Sequence, residues 1–366
     1  MRVNSTGEKT LEDENVRLNR GFISFAVLQA AAAAAWAADT SPLPAVDYRV
    51  SGSWPLGGAG GWDYLALEGS GARLFVSRGD RVDVVETVSG KLTGSVANTA
   101  GVHGIAFAPA LKRGFTSNGR ANTVTVFELD TLRVTQEVPV SGKMPDAIIY
   151  EPQQNHTITA NGETADLTVL DASTLQIVAT VALPGRPEFM ATDASGTVYV
   201  NIATEAGKLV ALDAKSLAIK AVWPLPGCAN PTGLALDAAH HRLFSVCANQ
   251  IMAVTDSSSG KQIAQVVIGN GPDAAVFDPD LGLVFSSNGS DGTLTVIREE
   301  SPDDYRVIAT VTTQVSARTM ALDPAAHRVY LAAAKLGPAP PATAERPHPR
   351  PSLVPNTFAI LIAQPK

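Results

Sequence analysis

The sequence is poor in charge and in cysteine. Only 17% of its 366 residues are charged, and the formal net charge is −7. No run is rich in lysine and arginine, so the chain lacks the basic footprint that nucleic-acid-binding proteins usually carry. Nucleic acid is therefore a disfavoured partner.

Motifs of common enzyme classes are also absent. The sequence has no G-x-S-x-G, H-E-x-x-H, Walker loop, paired C-x-x-C or haem-attachment motif. An enzyme can still assemble its site from separate segments of the chain, so these absences only remove positive support for catalysis. Whether the protein is an enzyme stays uncertain, with a non-enzymatic role favoured.

Long apolar runs are limited to one, at residues 21–38 (GFISFAVLQAAAAAAWAA). It follows Arg17 and Arg20 and ends in Ala35-Trp36-Ala37, which resembles a signal-peptidase cleavage site. We therefore predict a signal peptide at residues 1–38, a periplasmic or extracellular location, and no transmembrane segment in the mature protein. Acidic residues among the first sixteen are unusual in such a signal, which raises the alternative that translation begins after them.

The two cysteines are Cys228 and Cys247. In an oxidising compartment, two cysteines in one chain favour a disulfide. Two buried free thiols are the alternative.

A repeated unit organises the chain. Its clearest copies are residues 117–140, 161–183 and 288–311, each with a polar turn, an alternating strand, a second turn and another strand. Seven units can be aligned, and each opens with one residue just before or within its first apolar strand. We call these the mouth residues: Asp63, His103, Asp146, Glu188, Thr232, Asp273 and Arg318.

The spacing of the units predicts the fold. Successive mouth residues lie 40 to 45 positions apart, a period typical of four-stranded propeller blades. The chain also has a surplus strand at residues 48–55 and lacks one strand near its end. We predict an all-β, seven-bladed propeller over residues 39–366, closed by this N-terminal strand, with a Pro-rich loop at 337–355 in blade seven.

At the level of motifs, the units resemble the YVTN-type β-propeller repeats of YncE-like bacterial exported proteins. The resemblance rests on NGRANTVTVFELDTLRVTQEVPV, PDAIIY and PTGLALDAAHHRLFSVCAN and covers about residues 48 to 335. It implies the fold and export, but no reaction. Some relatives bind DNA, and the acidic balance argues against that role here.

Propeller topology places the mouth residues around one end of the central channel. Six of them are predicted to bind a ligand, together with three turn asparagines: Asp63, His103, Asp146, Glu188, Asp273, Arg318, Asn118, Asn161 and Asn288. Aspartate and asparagine at such positions also cap turns, which is the structural alternative. A divalent cation is the one cofactor that the sequence suggests, with four ligands: Asp63, His103, Glu188 and Asp273.

These observations favour a monomeric, secreted binding or scaffold protein that uses the channel mouth for a protein partner or a small ligand. A metal-dependent hydrolase or lyase with its site at the mouth is the first alternative, and a DNA-binding propeller is the second. The histidines of the opposite face, including His240 and His327, lie in turns and lack the spacing of a metal cluster.

Overall fold

The computed structural model describes residues 46–343, 349 and 351–366. Within them, 28 strands form seven antiparallel four-stranded sheets, and the one short helix is a 3-10 turn at Pro109–Leu111. The predicted seven-bladed β-propeller is confirmed. The predicted signal peptide lies outside the described residues. No helix in the described part of the chain has the length and hydrophobicity that crossing a bilayer requires.

The first strand, β1 (Tyr48–Pro55), belongs to the last blade. Blades one to three are built from the next twelve strands. These are β2 (Leu65–Leu67), β3 (Arg73–Ser77), β4 (Val82–Glu86), β5 (Leu92–Val96), β6 (Val102–Ala108), β7 (Arg113–Asn118), β8 (Thr123–Glu128), β9 (Val134–Pro139), β10 (Pro145–Glu151), β11 (His156–Asn161), β12 (Asp166–Asp171) and β13 (Ile177–Ala182).

Blades four to six follow the same order. Their strands are β14 (Pro187–Thr192), β15 (Thr197–Ile202), β16 (Lys208–Asp213), β17 (Ile219–Pro224), β18 (Pro231–Asp237), β19 (Arg242–Cys247), β20 (Ile251–Asp256), β21 (Gln262–Val267), β22 (Pro272–Asp278), β23 (Leu283–Asn288), β24 (Thr293–Ser301) and β25 (Asp304–Thr312). Blade seven contains β26 (Thr319–Asp323), β27 (Arg328–Ala333), β28 (Ala359–Pro365) and β1.

Closure of the ring depends on β1. It pairs antiparallel with β28, so that Tyr48 lies opposite Pro365 and Pro55 opposite Ala359. The predicted N-terminal closure is confirmed, and β1 covers the edge of β28 that would otherwise be unpaired. The Pro-rich insertion joins β27 to β28, as predicted, and a backbone bridge between Leu336 and Leu353 closes its base.

The core is divided into seven apolar clusters, each at one boundary between neighbouring blades. In the cluster between blades one and two, for example, Phe75 and Val84 of one blade meet Phe127 of the next, all fully buried. The second and third strands of the blades are largely buried on both faces because each sheet packs against two neighbours, whereas the outermost strands are partly exposed. This explains why the inner strands read as continuous apolar runs rather than as strict alternation.

A disulfide joins Cys228 to Cys247, with 5.4 Å between their Cα atoms. Cys228 lies in the loop that leads into β18, and Cys247 ends β19. Both are buried in the cluster between blades four and five. The structure therefore shows the bonded alternative and ties the loop before blade five to that blade.

Candidate functional site

Local irregularities in the first strand of the blades direct the mouth residues into the channel. In blades two to six, the register between first and second strands shifts at the positions of His103, Asp146, Glu188, Thr232 and Asp273. Such bulges release a residue from regular pairing and turn its side chain, and they are frequent beside functional sites. The repeat therefore places one variable side chain per blade at the channel.

All seven mouth residues line one cavity of about 520 Å³. Tyr64 and Phe189 stack beside them, with ring centroids 4.6 Å apart. Arg120 and Arg186 also line the cavity, and both are exposed at its outer end. Cavities of this size accommodate small molecules. The sequence prediction that these residues converge is matched by their positions.

Opposite charges alternate along part of the ring. Arg318 is bonded to Asp273 at 2.7 Å and approaches Asp63 at 3.3 Å. On the other side of Asp63, His103 Nδ1 lies 2.5 Å from its carboxylate and 3.6 Å from that of Asp146. Around the ring from Asp273 of blade six to Asp146 of blade three, carboxylates thus alternate with a cationic or titratable nitrogen.

The other part of the ring has excess negative charge. Asp146 and Glu188 are neighbouring mouth residues without a cation between them, and their side chains are only 12% and 14% exposed. Burial, together with the charge of Asp146, raises the pKa of Glu188 to about 7, although Arg186 lies 3.1 Å from its carboxylate. Burial and nearby Asp63 also raise the pKa of Asp146. These carboxylates are poorly compensated by the protein itself.

His103 is held between two carboxylates, which decides its charge. Burial lowers the pKa of His103, but the hydrogen bond to Asp63 and the charge of Asp146 outweigh burial, so that its pKa is raised overall. The imidazolium form is favoured, because its positive charge is attracted to both carboxylates. The two neighbouring carboxylates therefore favour the positively charged form of His103.

The three asparagines predicted to bind a ligand do not line the cavity. Asn118, Asn161 and Asn288 are fully buried within their blades. The amide of Asn118 donates to the hydroxyls of Thr123 and Thr125 at 3.1 and 2.8 Å. Asn288 bonds to two threonine hydroxyls in the same way, and Asn161 donates to a carboxylate and a threonine hydroxyl at the equivalent positions. That part of the prediction is wrong, because a side chain at the end of the second strand points sideways to the third strand.

Two of the glycines that follow these asparagines leave space for mouth residues. A Cβ added at Gly119 would lie 2.8 Å from the imidazole of His103, and one at Gly289 would lie 2.6 Å from Cβ of Arg318. Real Cβ atoms do not approach other atoms so closely. At these two positions the asparagine joins neighbouring strands and the glycine makes room for a mouth side chain, whereas a Cβ at Gly162 would meet no atom closer than 3.6 Å.

The structure groups the predicted metal ligands differently. Ligand atoms of Asp63, His103 and Asp146 all lie within 4.8 Å of one another. Asp273 is instead paired with Arg318, and Glu188 with Arg186. Of the predicted set of Asp63, His103, Glu188 and Asp273, the structure thus groups only Asp63 and His103 at ligand distance. Asp146 joins them as the third side chain that could hold a cation.

Sequence reasoning missed the two arginines at the outer end of the cavity. Arg186 stands two residues before Glu188, so its proximity could have been read from the G-R-P-E segment. Arg120 belongs to the turn after Asn118, and the equivalent positions of other blades carry no shared residue type. It could be found only from the folded chain.

A second cavity, of about 700 Å³, shares Asp273 and Arg318 with the first. Its walls are largely apolar and include Trp62, Val315 and Leu353. A ligand that reaches past Arg318 would therefore meet an apolar surface between blades six and seven.

Comparison with known proteins gives no family for this chain: no family model matches it, and no curated protein matches it either.

Proposed function

We propose that the protein is an exported propeller of the YVTN type that binds a small, positively charged ligand in its channel-mouth cavity. The observation that carries this proposal is the pair Asp146 and Glu188, two largely buried carboxylates that neighbour each other in the ring and are only partly compensated by His103 and Arg186. A cationic group between them would extend the alternation of charge to Glu188. It would also keep ionised the carboxylates whose pKa is raised by burial.

The charge distribution suggests further chemistry for the ligand. The acidic side chains are largely buried, whereas Arg186, with 58% of its side chain exposed, and Arg120 lie at the outer end. A small zwitterion would match this arrangement, with an ammonium group against Glu188 and an acidic group facing the arginines. The dimensions of the cavity favour such a molecule over a protein partner.

Calorimetric titration tests the proposal. Small amines and amino-acid-like zwitterions are compared with carboxylic acids of the same size. We expect the amine-containing compounds to bind and Glu188→Gln to weaken binding at least tenfold, because the substitution removes the charge that faces the ammonium group. Glu163→Gln is the control, since Glu163 is exposed on a turn of the same face and does not line the cavity.

The pH dependence supplies a second readout. A cation binds the ionised form of Glu188, whose pKa is about 7. As the pH is raised towards 7, affinity should therefore increase about tenfold per pH unit, and above pH 7 it should level off. Selective binding of the carboxylic acids, or equal binding by Glu188→Gln, would contradict the proposal.

A metal-dependent hydrolase or lyase is the second candidate function. It is favoured by one observation, the convergence of Asp63, His103 and Asp146 within 4.8 Å. A divalent cation there would polarise a bound carbonyl or activate a water. Metal analysis of the purified protein, with His103→Ala as the matched variant, tests it. This candidate fails if the two proteins contain the same amount of metal.

A further inference from the structure

The outer hairpin of blade six departs from the repeat. Strands β24 and β25 have nine residues each, whereas the third strands of blades one to five have five or six. The turn between them reaches blade five, where Arg242 donates from Nε to the carbonyl of Pro302 at 2.7 Å and contacts Asp303 at 2.9 Å. Glu299 directly follows Arg298, the last residue of β24 that pairs with β23, and its side chain lies near the end of the first strand of blade five, on the face opposite the channel mouth.

Three side chains of different origin meet there. Nδ1 of His240 lies 2.6 Å from Oδ2 of Asp237 and 3.4 Å from Oε1 of Glu299. Asp237 and Glu299 are buried, with 3% and 4% of their side chains exposed, whereas 51% of the His240 side chain is exposed. Asp237 and Glu299 are therefore enclosed by the protein, whereas the cluster is open to solvent at His240.

Glu299 is only partly satisfied within the protein. Its Oε1 accepts a hydrogen bond from the hydroxyl of Tyr305 at 3.3 Å, but its Oε2 is buried and has no hydrogen-bond partner among the residues that the structure describes. Two buried carboxylates side by side, one with a bare oxygen, are expensive to ionise unless a cation or a shared proton lies between them.

We propose that Asp237, His240 and Glu299 form a binding site for a divalent transition-metal ion, with zinc as the best fit. One imidazole nitrogen and two carboxylates suit zinc and its neighbours, whereas calcium and magnesium favour all-oxygen sites. Water from the open side would complete the coordination. The bound ion would fasten the extended hairpin of blade six to blade five.

The distances fit such an ion after one small adjustment. Metal–ligand bonds of about 2.0 Å in tetrahedral geometry separate the ligand atoms by about 3.3 Å. The 3.4 Å between His240 and Glu299 meets this value. The 2.6 Å between His240 and Asp237 is a hydrogen-bond distance and must open by about 0.7 Å. A rotation of the half-exposed imidazole achieves this opening.

The sequence shows no metal-site spacing around His240, and the structure explains why. Asp237 and His240 are three residues apart in a turn, a spacing also found in simple capping. Backbone amides of that turn do bond to Asp237. The third ligand comes from the next blade, 59 positions after His240, and is brought close only by the packing of the two blades.

Zinc titration of the full-length protein tests the proposal. All measurements use a His103→Ala background, so that the channel-mouth group cannot contribute. Zinc is titrated against a competing chelator, native mass spectrometry counts the bound ions, and cobalt(II) absorption reports the geometry. We expect one equivalent of zinc to bind and His240→Ala to weaken it at least tenfold, because loss of a direct ligand should exceed the 10- to 100-fold effect of losing a supporting contact.

His327→Ala is the matched control. His327 lies on the same face and pairs with buried Asp278 at 2.8 Å, but no third ligand joins this pair among the described residues. Zinc affinity should therefore be unchanged in this variant. Glu299→Gln gives a second test, because it keeps the size of the side chain and should also weaken zinc at least tenfold.

Two results would overturn the proposal. One is the absence of stoichiometric zinc binding at micromolar concentrations in the His103→Ala background. The other is zinc affinity in His240→Ala and Glu299→Gln equal to that of the His327→Ala control.

Discussion

The strongest quantitative expectation concerns the stability of Glu188→Gln. The pKa of this carboxyl is raised from an ordinary 4.5 to about 7, chiefly by burial. At about 1.4 kcal/mol per pH unit, holding Glu188 ionised in the folded protein costs about 3 kcal/mol of unfolding free energy. Glutamine has nearly the same shape and carries no charge, so it should remove this cost.

The sign of the pH dependence follows from linkage. Because the folded state holds the Glu188 proton more tightly than the unfolded state, the wild-type protein loses stability as pH rises from about 4.5 to about 7. Above pH 7 the loss is complete and constant. Glu188→Gln does not titrate, so its advantage over wild type should grow across this window and then level off.

One favourable contact is lost in the variant. Glu188 pairs with Arg186 at 3.1 Å, but this attraction already lowers the pKa of Glu188 and is contained in its value of about 7, so it is not subtracted again. The expected gain at pH 8 is therefore about 3 kcal/mol. At pH 5, where the folded protein holds Glu188 mostly protonated, the gain should fall to about 1 kcal/mol.

Urea denaturation at pH 5, 6, 7 and 8, followed by tryptophan fluorescence, measures these differences. Glu163→Gln serves as the control, because Glu163 is exposed and its replacement should have an effect that does not vary over this range. A difference between Glu188→Gln and wild type that is the same at pH 5 and pH 8 would refute the reasoning. So would a variant that is less stable than wild type at pH 8.

Two further predictions concern the packing around the cavity and the disulfide. Gly119→Ala should displace the imidazole of His103 and cost about 1 to 3 kcal/mol. The same change at Gly162 should be nearly neutral, because its added Cβ would meet no atom closer than 3.6 Å; equal losses in the two urea transitions would refute this. Replacing Cys228 and Cys247 together by serine should lower stability by about 3 kcal/mol, as expected for a closed loop of this length. Identical urea midpoints of this variant and wild type would contradict that estimate.

The architecture could be predicted from the sequence because the same pattern of strands and turns recurs seven times. A single unit such as residues 117–140 would fit a hairpin in many folds. The repeat spacing and the unpaired strand at Tyr48–Pro55 together fix both the number of blades and the closure of the ring. Redundancy, rather than the strength of any one pattern, made that prediction succeed.

The candidate site was only partly predictable, and the reason differs between residues. The mouth residues could be located because topology alone decides which end of a strand faces the channel. The direction of a side chain depends on local register, and this is why Asn118 was misjudged: it ends a regular strand and bonds to its neighbour. Asp146 and His103 approach each other across a blade boundary, which no pattern along the chain encodes.

In a propeller of this kind, we expect ligand sites at charged side chains that the repeated structure does not require. The buried asparagines and the blade-boundary clusters recur because every blade must hold its strands together and cover its neighbour. The repeat has no corresponding need for carboxylates at Glu188 or Glu299, where burial without a full partner lowers stability. Both positions lie beside open space, one in the channel mouth and one near the exposed His240. A bound cation would turn each unfavourable charge into a favourable contact, and so these two positions are where we expect ligands to act.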